Sequence, residues 1–338
     1  MKTILVTGGA GYIGSHTVVD LLENDYNVLI IDNYSNSSPR AVNSIESITS
    51  KKIKVYNFDI RNREKLKEVF INNNIDGVIN FAGFKAVGES VENPLMYYDN
   101  NLYGMITLLE IMEEFEVYNL VFSSSATVYG IPESIPMNET DPISGINPYA
   151  RTKRINEEIL QDISLSNNRW NIISLRYFNP LGAHESGNLG EDPNGIPNNL
   201  APFITQVAIG RRSHLNIFGV DYDTSDGTCI RDYVHINDLA KGHRQALDKL
   251  FEASIGFQAI NLGSGKGYSV FDILRSFEKV VGKEIPFEIT DRRPGDIDES
   301  VASIEKAKKF LGWEPRFGIE RMCADSWKWQ QKNPNGFH

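Results

Sequence analysis

Ile4-Leu5-Val6-Thr7-Gly8-Gly9-Ala10-Gly11-Tyr12-Ile13-Gly14 is the stretch from which the fold of this chain can be read. Its apolar start makes a short strand, its glycines make a tight turn, and Val18, Leu21 and Leu22 follow at helical spacing. A strand, a glycine turn and a helix start together turn backbone N–H groups toward a pyrophosphate. A second apolar run, Val28-Leu29-Ile30-Ile31, ends in Asp32, 18 residues after Gly14. A carboxylate there accepts from a ribose 2′-OH and repels a 2′-phosphate, so NAD is expected rather than NADP.

The alternation continues outward. Ile53–Phe58 reads as a third strand with Asp59-Ile60 at its carboxyl end, bordering the adenine. A polar helix follows over Glu64–Phe70, then a fourth strand over Gly77–Ala82, which brings Ala82, Gly83 and Lys85 toward the cofactor. One long helix is expected over Met96–Glu114, with Leu102, Met105, Leu109 and Met112 at helical spacing and Asn100 and Asn101 near its start. Asn119–Phe122 is a fifth strand opening into Ser123-Ser124-Ser125, and Trp170–Phe178 a sixth. Such alternation predicts an α/β chain: a Rossmann-type doubly wound parallel sheet whose ligands lie beyond the strands' carboxyl ends.

After Asn179-Pro180 the pattern changes. Residues 181–200 are rich in Gly, Pro and Asn without a period, which suits a substrate-facing insertion. Asp238–Leu250 (a helix) and Gln258–Gly263 (a strand) are expected to return to the first lobe. The predicted organisation is residues 1–179 with 230–263 as the NAD-binding domain. A smaller α/β C-terminal substrate domain takes 180–229 with 264–338.

The 338 residues carry 41% hydrophobic and 23% charged side chains and a net charge of −10, which argues against a nucleic-acid or anionic-membrane surface. Two cysteines, Cys229 and Cys323, fit a reducing compartment, and the start runs straight into a strand without a signal peptide. No apolar run approaches the ~20 residues of a membrane span. A cytoplasmic protein is expected. The six histidines show no metal-ligand spacing, so no metal is expected. Asn36-Ser37-Ser38 matches a glycosylation sequon, which means little without secretion.

Asn147-Pro148-Tyr149-Ala150-Arg151-Thr152-Lys153 carries the chemistry. Asn147 is a good helix cap and Pro148 a good first-turn residue, so Tyr149 and Lys153 fall on one helix face. A free phenol has a pKa of about 10. A nearby ammonium favours the phenolate and makes it a usable base.

Several stretches, taken together, resemble the extended short-chain dehydrogenase/reductase family, and within it the 4-epimerases of UDP-hexoses. They are the glycine loop, Ser123–Gly130, Tyr149-x-x-x-Lys153, Asn80–Ser90, Arg176–Pro180, Gly190–Pro193 through Leu200, and Gly227–His235. The resemblance covers nearly the whole chain; Ala150 stands where glycine is usual. It implies one tightly held NAD that takes the C4 hydride of a UDP-hexose while Tyr149 takes the hydroxyl proton. Lys153 would hold the nicotinamide ribose and depress the Tyr149 pKa, and Ser125 would hydrogen-bond O4. Further cofactor contacts are implied for Gly8, Gly11, Tyr12, Ile13, Gly14, Asn33, Asn36, Phe81, Asn100, Ser123, Tyr177 and Phe178. The substrate would be held by Asn179, Asn199, Leu200, Asn216, Phe218, Arg231, Tyr233, Arg293 and Asp296, two arginines being natural partners for a diphosphate.

Aligned with the family, Ser300 falls where some members carry a tyrosine beside the sugar's 2-position, which implies room for an N-acetyl group. A register shifted by one would put Glu299 there instead. A homodimer is also implied. Three rivals stand beside the epimerase. A 4,6-dehydratase should show Thr-Asp-Glu at Ser125-Ala126-Thr127, a decarboxylase should want an acid there, and a non-enzymatic NAD sensor should lack the Tyr/Lys pair.

Overall fold

Strand β1 (Thr3–Thr7) sorts its side chains by parity, with Ile4 and Val6 entering one apolar cluster and Leu5 the other. That two-sided burial requires a sheet covered on both faces. The computed structural model describes residues 1–293 and 295–337; Pro294, within the Arg292–Asp296 stretch, and His338 lie outside the described residues.

In chain order the first lobe begins with β1, α1 (Tyr12–Glu23), β2 (Asn27–Ile31), α2 (Pro39–Thr49), β3 (Lys54–Tyr56), α3 (Arg63–Ile71) and β4 (Gly77–Asn80). Short helices α4 (Val87–Glu92) and α5 (Pro94–Tyr98) lead through a π-helical turn at Asp99–Tyr103 into α6 (Gly104–Glu114). Then come β5 (Asn119–Ser125), α7 (Pro148–Ser166), β6 (Asn171–Tyr177) and β7 (Asn179–Leu181). The remainder is α8 (Leu200–Ala208), β8 (Leu215–Phe218), β9 (Ile230–His235), α9 (Ile236–Glu252), β10 (Phe257–Leu262), β11 (Gly267–Ser269), α10 (Val270–Val281), β12 (Phe287–Thr290), β13 (Glu299–Ser300) and α11 (Ile319–Lys332).

Seven strands form the main sheet in the order β10-β6-β5-β4-β1-β2-β3, every pairing parallel. The winding reverses between β1 and β4, which opens a crevice at their carboxyl ends. Helices α1, α2 and α9 cover one face; α3, α6 and α7 cover the other. A smaller sheet pairs β9 with β7, β11 and β13, and β8 pairs with β12. The segment at Met137 bridges to Ala302 and straps the end of the first lobe to the second. Among the described residues no helix is long and apolar enough to cross a membrane.

Two expectations need correction. Residues 230–235 were expected with the first domain, but β9 bonds only to strands of the smaller sheet; α9 and β10 do return to the first lobe. The helix expected over 96–114 starts at Asn93-Pro94 and is interrupted by the π turn, which adds a residue to one turn and swings Asn101 inward. Met105, Leu109 and Met112 of that stretch are buried core, as their helical spacing leads one to expect, while Tyr103 and Ile106 are exposed, as are Val91 and Leu95 just before it. Helix α2 was not anticipated, although Ser38 caps it by accepting from Arg40 N and Pro39 occupies its first turn.

Candidate active site

Glycine is required at the start of the crevice for steric reasons. Gly8 has φ +69°, and a Cβ there would lie 2.8 Å from Ala82 N; one on Gly14 would lie 2.3 Å from Gly8 O. The loop therefore packs against itself and against the end of β4 at backbone distance. Helix α1 has no side-chain cap, so its first N–H groups are left for an outside acceptor. Among the loop side chains, Tyr12 donates to Gly182 O at 2.6 Å and Ile13 packs against the core. Asp32 is buried and accepts from Ala10 N (2.9 Å), Tyr34 N (2.9 Å) and Ser37 Oγ (2.8 Å), so it braces the loop from the end of β2.

The neighbouring polar residues are more committed to the protein than expected. Asp59 already receives Arg61 Nε and Nη2 at 2.9 and 2.8 Å and Asn33 Nδ2 at 3.0 Å, which holds its carboxyl below the usual range; Ile60 beside it is buried. Asn36 Oδ1 accepts from Asn194 N of the other lobe. Lys85, half exposed, sits 3.5 Å from Glu191, which also accepts from Asn199 at 2.6 Å. Leu200, next along, opens α8.

At the end of β5, three serines meet α7. The Asn147 side chain accepts from Ala150 N at 2.9 Å and fixes the helix start, so Tyr149 and Lys153 face β5. Ser125 Oγ accepts from Thr127 N (3.3 Å) and Thr127 Oγ1 (3.0 Å), so its own proton is uncommitted, and its hydroxyl favours the charged form of the nearby Tyr149 phenol. Lys153 Nζ donates to the Ser123 carbonyl at 2.6 Å and lies 6.0 Å from the Tyr149 ring. The expected lowering of the phenol pKa is not seen. Burial pushes Tyr149 up, and only the nearby Ser125 hydroxyl opposes that. Burial likewise lowers Lys153, to about 8, against an opposing pull from Glu157. The lysine's charge is spent on a carbonyl rather than on the phenol oxygen.

Around this pair, Tyr177 donates to Nε2 of His243, whose Nδ1 is held by Leu239 O at 2.8 Å, and Phe81 stacks on the same imidazole at 4.8 Å. Phe178 is buried with Val128, Tyr129, Met137 and Ala302. Asn100 only donates to Asn101 Oδ1. The neighbour matters more than its place near a helix start suggests: Asn101 holds Phe84 N (2.8 Å), Phe84 O (3.0 Å) and Thr152 (3.0 Å), tying the loop after β4 to α7. Its signal was a polar residue among the apolar positions of a helix.

The other wall carries the arginines. Asp296 lies 3.6 Å from Arg231 and accepts from Arg293 Nε at 3.0 Å, and the Arg293 guanidinium sits over Phe218 at 4.9 Å. Two cations sharing one carboxylate keep positive charge free for an anion. Asn179 and Tyr233 are register partners on β7 and β9, while Asn216 pairs on β8 with Glu288 and reaches none of these groups through a hydrogen bond. Ser300 is buried in β13 with Oγ 3.9 Å from Met137 Sδ, not in a surface loop. Strand parity turns Glu299 the other way, so Ser300 holds the inward position. Among the described residues no group of His, Cys, Asp and Glu is placed to hold a metal.

A doubly wound sheet, a glycine-lined pyrophosphate cradle and a Tyr/Lys pair beside a serine define a dinucleotide-dependent enzyme of the extended short-chain dehydrogenase/reductase class. The family model described as GDP-mannose 4,6 dehydratase matches residues 5–326. UDP-glucose 4-epimerase of Bacillus subtilis (strain 168) is 55% identical over 99% of this chain and 98% of that protein. Among solved structures, the Bifidobacterium longum UDP-glucose 4-epimerase in complex with NAD+ and UDP superposes with a TM-score of 0.97 at 50% identity, covering 99% of this chain and 100% of that one. The UDP-Glc/GlcNAc 4-epimerase from Campylobacter jejuni matches at TM-score 0.85 and 35% identity, covering 98% of this chain and 100% of that one. The chain belongs to the UDP-glucose 4-epimerase family.

The buried lysine gives a pH prediction. Its folded pKa of about 8 lies below the ordinary 10.5, so between those values the unfolded chain holds a proton that the folded chain has lost. Stability from this group therefore rises with pH across that window. In Lys153→Met this contribution disappears. Urea midpoints of the two proteins, measured from pH 8 to 10, should move in favour of the wild type as pH rises; a constant difference would refute the assignment.

Proposed function

We propose that this chain interconverts UDP-galactose and UDP-glucose, using a resident NAD and a transient 4-keto sugar. The observation that carries the reading is the Ser125–Tyr149–Lys153 cluster at the mouth of the glycine-loop crevice, in a chain so similar to named 4-epimerases. The cradle supports NAD on its own geometry: a Cβ at Gly8 or Gly14 would fill it, and the α1 N–H groups are uncapped. The Asp32 carboxylate at the end of β2 favours a free 2′-OH.

When bound, NAD supplies a hydride acceptor and a positively charged ring. The protein does the rest. Ser125 holds the sugar O4, and Tyr149 takes its proton; with the phenol pushed up by burial alone, a cation in the crevice is what makes the phenolate accessible. Lys153, anchored on Ser123, holds the ribose side. Arg231 and Arg293 take the diphosphate, with Asp296 keeping both in place. The proton returns from Tyr149 after the sugar has turned over. A dehydratase or decarboxylase would need an acid after Ser125, where this chain has Ala126 and Thr127.

A cytoplasmic setting fits two buried, unpaired cysteines. A homodimer fits the apolar residues exposed on α4 to α6, with Val91 62% and Leu95 81% exposed. Light scattering at micromolar concentration should give twice the chain mass, and a monomeric mass would refute the dimer.

Incubation with UDP-galactose and no added cofactor should yield UDP-glucose. Tyr149→Phe should keep NAD bound while turnover falls roughly 10²–10⁴-fold; near-normal turnover would sink the mechanism. Because Ser300 is small and inward, UDP-N-acetylgalactosamine should also be a substrate. The Ser300→Tyr variant should lose that activity and retain UDP-galactose. Wild-type protein that leaves the N-acetylated sugar untouched would show that size at this position does not set the specificity.

A further inference from the structure

Helix α7 sets Tyr149, Lys153 and Glu157 one turn apart on the face that meets β5, and each engages a different member of the serine triplet. The Ser125 hydroxyl favours the ionised form of Tyr149, the Ser123 carbonyl accepts from Lys153 at 2.6 Å, and the Ser124 hydroxyl donates to Glu157 Oε1 at 2.6 Å. Glu157 is a carboxylate with a side chain only 3% exposed. It also accepts from Ser174 Oγ (2.8 Å) and from Arg176 Nη2 (2.7 Å), whose side chain is 5% exposed. Parity explains the convergence, since Ser124 and Arg176 are register partners on the face that Phe122 and Ile172 share. Arg176 reaches onward to the Tyr129 hydroxyl at 2.9 Å, which donates to Asn261 at 2.7 Å.

A buried ion pair of this kind is a poor device for stability, because desolvating two charges offsets their attraction. Leu or Met at both positions would hold α7 on the sheet as well. We propose that Glu157 is a positioning residue for the catalytic pair: it fixes the middle serine of the triplet and sets a permanent negative charge one turn behind Lys153. The proposal rests on the epimerase reading given above.

The consequence is electrostatic as well as geometric. Lys153 is buried, and Glu157 is the group that opposes the loss of its proton. The other ionisable groups nearby are Tyr149 on α7, Tyr177 at the end of β6, and Arg176 behind Glu157. The loop after β4 brings only Gly83 and the π turn only Asn101, while Lys85 pairs with Glu191. Removing the Glu157 charge leaves the lysine surrounded by neutral groups and one distant cation, so it loses its proton at lower pH; the neighbouring phenol moves the same way.

The test uses the NAD-loaded protein and UDP-galactose. Glu157→Gln keeps an acceptor for Ser124 but removes the charge. It should lower kcat about 10–100-fold, as misplacement of reacting groups does, with KM little changed and NAD retained. Both limbs of its pH–rate profile should move to lower pH. Because the single variant leaves Arg176 buried without a partner, the double variant Glu157→Gln/Arg176→Met is measured beside it and should show a smaller shift in the same direction. A merely structural role would lower the melting temperature and leave the profile of the folded enzyme unmoved. A folded, NAD-loaded double variant with wild-type kcat and an unshifted profile overturns the proposal. Failure of the wild type to epimerise would instead overturn the function, which keeps the two distinguishable.

Discussion

Everything at the site depends on the reversal of winding at β1, whose two neighbours in the sheet are β2 and β4. All seven strands are parallel, so their carboxyl ends lie along one edge, and the reversal leaves a gap there that no helix can cover. Asp32, Asn80, Ser125 and Tyr177 are each at or just past such an end. Residues far apart in sequence reach one crevice for no reason other than strand direction. The glycines then let the turn after β1 lie flat against the β4 end, where any larger residue would collide with backbone.

On that frame the chemistry is held by one helix against one strand. Apolar residues of α7 and β5 pack lower down, in the cluster containing Phe122, Leu160 and Ile172. At the open end the same faces turn polar, and Lys153, Glu157, Ser124 and Arg176 are all buried there. Burying such groups unpaired would cost several kcal/mol each; Ser124 and Arg176 bond Glu157, and Lys153 bonds the Ser123 carbonyl. Mutual satisfaction makes the catalytic geometry rigid, since no member can move without orphaning its partner. Burial also sets the protonation balance. The phenol and the lysine are both driven toward their neutral forms, and a bound cation or anion can readily shift them.

Much of this was legible in the chain. The Gly8–Gly14 turn, the alternating apolar runs and Asp32 at a strand end follow from local sequence because strand parity, helical period and glycine sterics are local rules. The Asn147-Pro148 cap is equally local, and it suffices to set Tyr149 and Lys153 on one face. The misreadings have a common cause. Asp59 looks free in sequence but is claimed by Arg61 and Asn33; the 96–114 helix looks continuous but bulges at Asn101; residues 230–235 fall in the block assigned to the first domain but form a strand that pairs across the second lobe.

The sequence by itself determined the fold class, the glycine turn and the pairing of Tyr149 with Lys153 on one helix face, because each rests on residues within a few positions of one another. Only the tertiary structure decided who holds whom. That Ser300 faces inward rather than Glu299, that Asp296 is shared by two arginines, and that Lys153 bonds a carbonyl instead of the phenol are matters of packing. Partners such as Ser124 and Arg176 become neighbours only through sheet register, and their protonation follows from burial. Neither quantity is carried by any short stretch of chain.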